Sequence, residues 1–386
     1  MRLLIKNGLV IDKSTGLNDK LHIFIENGII EKISDNLSDF EDIDSFVIDA
    51  EGLCVSPGLV DMHCHLREPG FENKETIGTG SRSAAIGGFT SIACMPNTKP
   101  VVDNKTVVEY ILNKAKEEAV INIYPIGAIT KNLEGKQLSD IGEMKFAGIV
   151  AISDDGRPVM DSNILKNAMI YASSFETPVI SHCEDLNLVA DGVMNEGYYS
   201  TIMGLRGIPS AAEEAMIARD LVLSRSTGIP IHIAHVSTKN GIQLIREAKA
   251  AGVPVTAETC PHYFSLTDEM LLGYNTNAKV NPPLRSREDV ESVIDGLIDG
   301  TIDVIATDHA PHDKESKDCE FERAANGMVG FETALAVGIT YLVKTGKMTL
   351  SDLIYKMTAK PAEILKLNKG RLKEGMAADI VIYSPD

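Results

Sequence analysis

No two cysteines in this chain stand in C-x-x-C spacing. The six that occur, Cys54, Cys64, Cys94, Cys183, Cys260 and Cys319, are scattered, and several sit inside apolar runs. Without close spacing or a secretion signal they read as free thiols of a reducing cytoplasm, several acting as small hydrophobes. The start, Met1-Arg2-Leu3-Leu4-Ile5-Lys6, turns polar too soon for a signal peptide. No apolar run reaches the length that crosses a bilayer. Low-complexity segments and short-period repeats are also missing. Positive charge is in deficit: 37 Lys and Arg face 55 Asp and Glu, for a formal charge of −18. That excludes a general nucleic-acid or anionic-membrane surface. A small anionic substrate stays open, because a local arginine or metal overrules the global field.

What is present is an ordinary composition, 44% hydrophobic and 24% charged over 386 residues. The length suits two or three domains, or one long α/β barrel. Eight apolar, strand-like runs recur: Leu59–His63, Thr90–Cys94, Ile121–Ile126, Gly148–Ile152, Pro178–His182, Ile231–His235, Val253–Glu258 and Asp303–Thr307. Helical patterns lie between them, including Asn104–Ala119, Ser210–Arg225, Gly241–Ala251 and Ser286–Leu297. Ser210/Glu213 and Ser286/Asp289 have capping-box spacing. Continuous apolar strands alternating with helices predict a parallel sheet buried on both faces, and eight units predict a (β/α)8 TIM barrel. Short strands near Leu3–Gly8, His22–Gly28 and Ile29–Ile33, with Asn-Gly turns at 7–8 and 27–28, predict a small β domain. Ala378–Tyr383 would complete it from the other chain end. The expected division is 1–54 and 361–386 for the small domain and 55–360 for the barrel.

The chemistry-bearing residues fall where these runs end. His63 and His65 end the first, Asn97 follows the second, Asp154 and Asp155 follow the fourth, and His182 and His235 end the fifth and sixth. Asn281 and Asp308 follow the last two. Strand ends of a barrel converge on one mouth. His63 and His65 share a face because strand side chains alternate, and Cys64 faces away. Four imidazoles and two carboxylates exceed the needs of one tetrahedral zinc. Two metals sharing a bridging carboxylate and hydroxide would use them all. By the same alternation His232 is expected on the face opposite His235, and His262 and His309 are expected in structural or supporting roles. Arg67, two residues past His65, would aim at the same cavity if the strand continued, and a guanidinium there suits a carboxylate. A salt bridge to Glu68 or Glu72 is its plain alternative. The charged run Asp313–Gly327 follows the site and reads as solvated surface or a partly mobile cover.

These segments resemble the dihydroorotases of the amidohydrolase superfamily, the long class I bacterial type in particular. The resemblance rests on Gly58-Leu59-Val60-Asp61-Met62-His63-Cys64-His65-Leu66-Arg67-Glu68-Pro69-Gly70, Cys94-Met95-Pro96-Asn97-Thr98 and Ser153-Asp154-Asp155-Gly156. His182-Cys183-Glu184-Asp185, His235-Val236-Ser237, Lys279-Val280-Asn281-Pro282-Pro283-Leu284-Arg285 and Thr307-Asp308-His309-Ala310-Pro311-His312 continue it in order. It implies reversible hydrolysis of dihydroorotate to N-carbamoyl-L-aspartate, a step of pyrimidine synthesis, in a cytoplasmic homodimer. It implies two Zn2+ per subunit, one on His63, His65 and Asp308 and one on His182 and His235, bridged by Asp155 and hydroxide. Many superfamily members bridge with a carbamylated lysine. No lysine stands at Ile152-Ser153-Asp154-Asp155, so an aspartate takes that place, with Asp154 as the alternative bridge. Asp308 would carry the proton from water to the leaving ring nitrogen. Arg67, Asn97 and His312 would hold the substrate carboxylate, and Asn281 and the backbone at Asn326-Gly327 its amide edges.

Relatives of this type continue for several dozen residues beyond the equivalent of Asp386, so residues 361–386 are expected to be a shortened part of the small domain. Two rivals follow from the same resemblance. One is an allantoinase- or dihydropyrimidinase-type cyclic amidase, against which Arg67 and the bridging aspartate weigh. The other is a silent scaffold subunit for aspartate transcarbamoylase, against which the four retained histidines weigh.

Overall fold

The computed structural model describes residues 1–40 and 45–386. Arg2–Asp12 (β1), Leu17–Glu26 (β2) and Ile29–Ser34 (β3) form an antiparallel meander. Asn27 and Gly28, at φ 52° and 80°, make the two-residue turn between β2 and β3 that the Asn-Gly pair predicts. The other Asn-Gly pair does not turn the chain. Asn7 and Gly8 form a bulge inside β1, where the register against β2 slips between Ile5 and Gly8. Packing explains the correction: a Cβ on Gly8 would lie 2.4 Å from Val55 Cγ2, so glycine is needed for close approach rather than for a turn. The Asn7 amide N–H meanwhile donates to His22 Nδ1 at 3.1 Å. Phe46–Asp49 (β4) and Cys54–Pro57 (β5) pair in parallel with β1.

Leu59–Cys64 (β6), Phe89–Cys94 (β7) and Asn122–Pro125 (β8) form a three-stranded parallel sheet. Ile152–Ser153 (β9) and Val179–Ser181 (β10) begin a second one. Met194–Asn195 (β11) and Gly207–Ile208 (β12) pair only with each other. Ile231–Ile233 (β13), Val255–Thr259 (β14) and Val304–Ile305 (β15) complete the second parallel sheet, in the order β15-β14-β13-β10-β9. The two parallel sheets touch along both edges. Gly127, just past β8, bridges to Ile152, and Cys64 bridges to His309 beyond β15. The amide of Asp308 donates to the His63 carbonyl at 3.0 Å, and that of His65 to the His309 carbonyl at 2.8 Å. Finally Ile380–Tyr383 (β16) returns to pair antiparallel with β5, so both chain ends share one six-stranded sheet.

The eight strands of these two sheets each overlap one of the eight predicted runs: six are shorter by one to three residues, β6 and β7 are longer by one, and β9 shares only Ile152 with its run. Helices Lys105–Glu118, Ala211–Thr227, Lys239–Ala250 and Arg287–Asp299 fall where predicted. Apolar residues on both strand faces are buried: Leu59, Ile92 and Ile233 pack against helix residues such as Ile111, Ile217 and Ile294, while Met62, Ala93, Ile180 and Ala306 pack on the other face. Ser286 and Asp289 form the expected capping box. Ser210 does not: its backbone is already helical, and its side chain caps nothing. Glu213 instead turns inward, accepting the Ser237 and Thr238 amides at 2.9 and 3.1 Å and the Arg285 guanidinium at 3.2 Å. A buried carboxylate gains more from a cation and several donors than from one cap. Among the described residues no helix is long and apolar enough to cross a membrane.

Candidate metal centre and anion cavity

Six side chains from distant strand ends meet. His63 Nε2 lies 3.3 Å from Asp155 Oδ1 and 3.5 Å from Asp308 Oδ1. His65 Nε2 lies 3.1 Å from Asp308 Oδ1 and 3.5 Å from Asp155 Oδ2. His182 Nδ1 and His235 Nε2 each approach Asp155 Oδ1 to 3.5 Å and stand 2.8 Å from one another. Asp155 is therefore the carboxylate common to all four imidazoles. Asp154 points elsewhere, accepting the amides of Ile129 and Thr130 at 2.7 and 3.0 Å and the Thr130 hydroxyl. Its oxygens are satisfied by the chain itself.

The residues present fit a metal. His63 Nε2 and Asp155 Oδ1 are buried at the centre of the cluster with no hydrogen-bond partner, and such atoms are rarely left orphaned without a ligand, ion or water. Two groups, His63/Asp155/His235 and His63/His65/Asp308, each bring three donor atoms within 4.8 Å of one another. Neutral imidazoles with carboxylates suit zinc or a similar first-row ion. Burial disfavours a charged imidazole at His63, yet Asp155, Glu258 and Asp308 outweigh it and hold its pKa well above the ordinary value. Burial likewise disfavours an ionised Asp155, but His63, His182 and His235 hold its pKa well down. The same contest at Asp308 is decided by His63 and His65, and its pKa is also lowered. The cluster thus concentrates opposite charges that a bound cation would satisfy in place of protons.

Supporting residues escaped the sequence reading. Glu258 Oε1 meets His63 Nδ1 at 2.5 Å, which directs the Nε2 lone pair inward. Its other oxygen meets His232 Nε2 at 3.3 Å, and His232 Nδ1 meets the Thr256 hydroxyl at 2.8 Å. His232 therefore shares a carboxylate with His63 and is not on the opposite side from the cluster. The expectation failed because β13 ends at Ile233 and His235 sits at φ 33°, which breaks the alternation between positions 232 and 235. Glu184 Oε2 meets His182 Nε2 at 3.2 Å. Both glutamates were visible as signals: Glu258 ends the seventh run, and Glu184 lies two residues past His182. Asn97 Oδ1 meets His65 Nδ1 at 2.9 Å, so it braces a histidine as well as facing the cavity. His309 is structural, stacked on Phe331 at 4.0 Å and accepting the Gly330 amide. His262 keeps a buried Nε2 without a partner and stands near Cys260 and Asp308; burial lowers its pKa to about 4.

Beside the cluster lies a cavity of about 150 Å³. His65, Asp155, His182, His235 and Asp308 line it, together with Arg67, Asn97, Asn281, Asn326 and Gly327. His63 is fully buried and does not line it. His312 stands behind Arg67, its Nε2 3.3 Å from the guanidinium and 2.8 Å from the Asn326 carbonyl. Arg67 arrives by a different route from the one predicted. The strand ends at Cys64, and a left-handed residue, Arg67 itself at φ 63°, turns the side chain into the cavity. Its Nε donates to the Pro311 carbonyl at 3.1 Å, and among the described residues it pairs with no carboxylate. Glu68 and Glu72 are engaged elsewhere, by the amides of Ile77 and Gly70. Arg67, His235 and Asp308 all hold positive φ, a cost that surrounding structure must impose. A larger groove of about 760 Å³, between Lys13, Asp303 and Lys356, lies away from this cluster.

Solved structures of the same architecture define the class. An L-hydantoinase (dihydropyrimidinase) from Arthrobacter aurescens superposes with a TM-score of 0.87 at 26% identity, over 98% of this chain and 86% of that one. A D-hydantoinase gives 0.85 at 27% identity, over 100% of this chain and 87% of the other. The chain thus shares the fold of these cyclic amidases. Sequence relatives are more specific. The dihydroorotase of Acetivibrio thermocellus is 62% identical over 380 residues, 98% of this chain and 88% of the relative. That of Ruminiclostridium cellulolyticum is 59% identical over 383 residues, covering 99% and 89%. A family model described as dihydro-orotase-like matches residues 52–241. The chain belongs to the dihydroorotase family.

Proposed function

We propose that this chain hydrolyses dihydroorotate reversibly to N-carbamoyl-L-aspartate in the Arg67 cavity, at a zinc pair held by His63, His65, Asp155, His182, His235 and Asp308. One observation carries the choice of substrate: a largely buried guanidinium with no carboxylate partner among the described residues faces the same small cavity as Asp308 and three of the four histidines. An unpaired buried cation is costly, and an anionic substrate relieves that cost. Neutral hydantoins and dihydropyrimidines do not. The reading also takes the two edge-touching parallel sheets as one closed (β/α)8 barrel of the class I type, with the sheet built from both chain ends as the small domain. Six free thiols, five of them buried, support a cytoplasmic setting. A homodimer, with aspartate transcarbamoylase as a candidate partner, completes the reading on the strength of the family likeness.

Bound at Asp155, two zinc ions would acidify water and polarise the scissile carbonyl. Arg67 grips the substrate carboxylate, with His312 behind it and Asn97 beside it. Asn281 and the backbone at Asn326-Gly327 meet the amide edges of the ring and fix which carbonyl faces Asp308. Asp308 takes a proton from the attacking water and returns it to the ring nitrogen as the C–N bond breaks. Glu258, Asn97 and Glu184 hold the imidazole tautomers. The test is an ultraviolet assay of dihydroorotate with purified, zinc-loaded protein. Turnover of dihydroorotate with none of hydantoin or allantoin is expected; the reverse pattern would leave the family fold and remove this substrate.

A further inference from the structure

The segment after Asp308 carries Asn326 and Gly327, and two lysines supply six of the bonds that hold it. Lys279 is only 5% exposed. Its ammonium donates to the carbonyls of Phe321 at 2.7 Å, Glu322 at 3.1 Å and Ala324 at 2.8 Å. Lys317 reaches back from the other segment, donating to Thr276 at 3.0 Å and Lys279 at 3.1 Å, and spends its third bond within its own segment on Ala325 at 2.8 Å. Each ammonium has three protons, and each is matched by three backbone oxygens. Neither lysine pairs with a carboxylate among the described residues. The Gly327 amide adds a bond to the Lys279 carbonyl at 2.9 Å.

We propose that Lys279 and Lys317 are positioning residues, a reciprocal clasp that fixes the segment ending at Asn326-Gly327 against the segment leading to Asn281 and so sets one wall of the substrate cavity. The sequence explains the choice of residue. A charged run such as Lys314-Glu315-Ser316-Lys317-Asp318, with Lys314, Glu315 and Asp318 exposed and Lys317 half-buried, has little apolar surface to bury. Its path is fixed by charge-assisted bonds to backbone instead. Asn281 stands two residues beyond Lys279, and Asn326 one residue beyond Ala325, so each clasp acts next to a cavity residue. The Asn326 carbonyl in turn meets His312 beside Arg67, which carries the restraint to the guanidinium. The clasp touches no metal donor. Its loss should therefore alter binding and leave the zinc site intact.

The substrate readout rests on the function proposed above; a proteolytic readout does not. Lys314 and Arg323 are exposed within the segment, so trypsin reports its release. Lys317→Cys and Lys279→Met are compared with the wild type in the zinc-loaded protein. Expected are a rise of about tenfold in KM for dihydroorotate, kcat within about threefold, unchanged zinc content and roughly tenfold faster cleavage. Treating Lys317→Cys with 2-bromoethylamine displaces bromide and rebuilds an ammonium of lysine length; similarly treated wild type controls for Cys319. Recovery of KM and of protease resistance supports the clasp. Unchanged cleavage and KM overturn it, as does a joint loss of kcat and zinc that aminoethylation fails to restore. If the wild type turns over no dihydroorotate, the functional reading falls while the cleavage rates still decide the clasp: faster cleavage sustains it and unchanged cleavage removes it.

Discussion

The two sides of the donor cluster are built differently. On one side His63 and His65 are each held from behind, His63 by Glu258 and His65 by Asn97, and both aim Nε2 at Asp308 and Asp155. On the other side His182 is held by Glu184, but His235 has no side chain bracing its Nδ1 among the described residues, and the two ring nitrogens face each other at 2.8 Å. The braced side belongs to β6, whose residues are wholly buried and whose neighbours close in from β7 and β15. The other side stands just past the ends of two three-residue strands. A ligand that need not be ordered on binding binds more tightly. If the proposed metal pair is bound, the first side should thus hold its ion more strongly, and the second should exchange it.

Asp308 belongs to the braced side and carries the largest expected effect. Asp308→Asn keeps the shape and removes the proposed proton carrier, so kcat should fall by roughly 10²- to 10⁴-fold. Near-normal turnover of dihydroorotate in this variant would take the proton role away from it. Glu258→Gln comes next. Loss of a carboxylate behind a metal histidine costs about 10- to 100-fold in metal affinity. Competition against a chelator should show that loss in the tighter of two binding phases. If the weaker phase moves instead, the assignment of the strong side is reversed. Arg67→Ala lies just outside both sides and should raise KM by roughly 30-fold, the loss of a hydrogen bond to a charged group, with zinc content unchanged. Metal loss in that variant would mean that the arginine supports the cluster rather than the substrate.

Much of this was legible in the sequence because strands of a parallel sheet buried on both faces are continuous apolar runs, and here polar residues mark their ends. His63, Asp155, His182, His235 and Asp308 are all read that way, and the structure brings them together. Periodicity failed wherever the backbone left the strand. Arg67 reaches the cavity only through a left-handed turn, and His235 departs from the alternation that separates it from His232 because β13 stops at Ile233 and His235 sits at φ 33°. Glu213 shows a second kind of failure. Its spacing from Ser210 matched a helix cap, but a partner 72 residues away, Arg285, claimed it. Such long-range competition leaves no local mark. The same holds for Asp154 and Asp155: adjacent and chemically identical, they are told apart only by which one meets the Ile129 and Thr130 amides.

The smallest effect is expected from Glu184→Gln, and it is the sharpest test of the comparison. Burial opposes the charge of Glu184, but His182 outweighs it and lowers its pKa, so the pair is formed in the folded chain. Glutamine keeps one acceptor for His182 Nε2 and removes only the charge. If the His182–His235 side is the weaker one, its metal already leaves readily, and the change should raise its dissociation constant by about tenfold, at the lower end of such effects. Cobalt substituted for zinc would make the two sides visible as separate absorption changes during chelation. The Glu184→Gln protein should lose its first metal faster and its second at the wild-type rate. Glu258→Gln should do the opposite, drawing the two phases together. Equal shifts in both variants would mean that Asp155, the shared carboxylate, couples the sides so tightly that their separate bracing has no separate consequence.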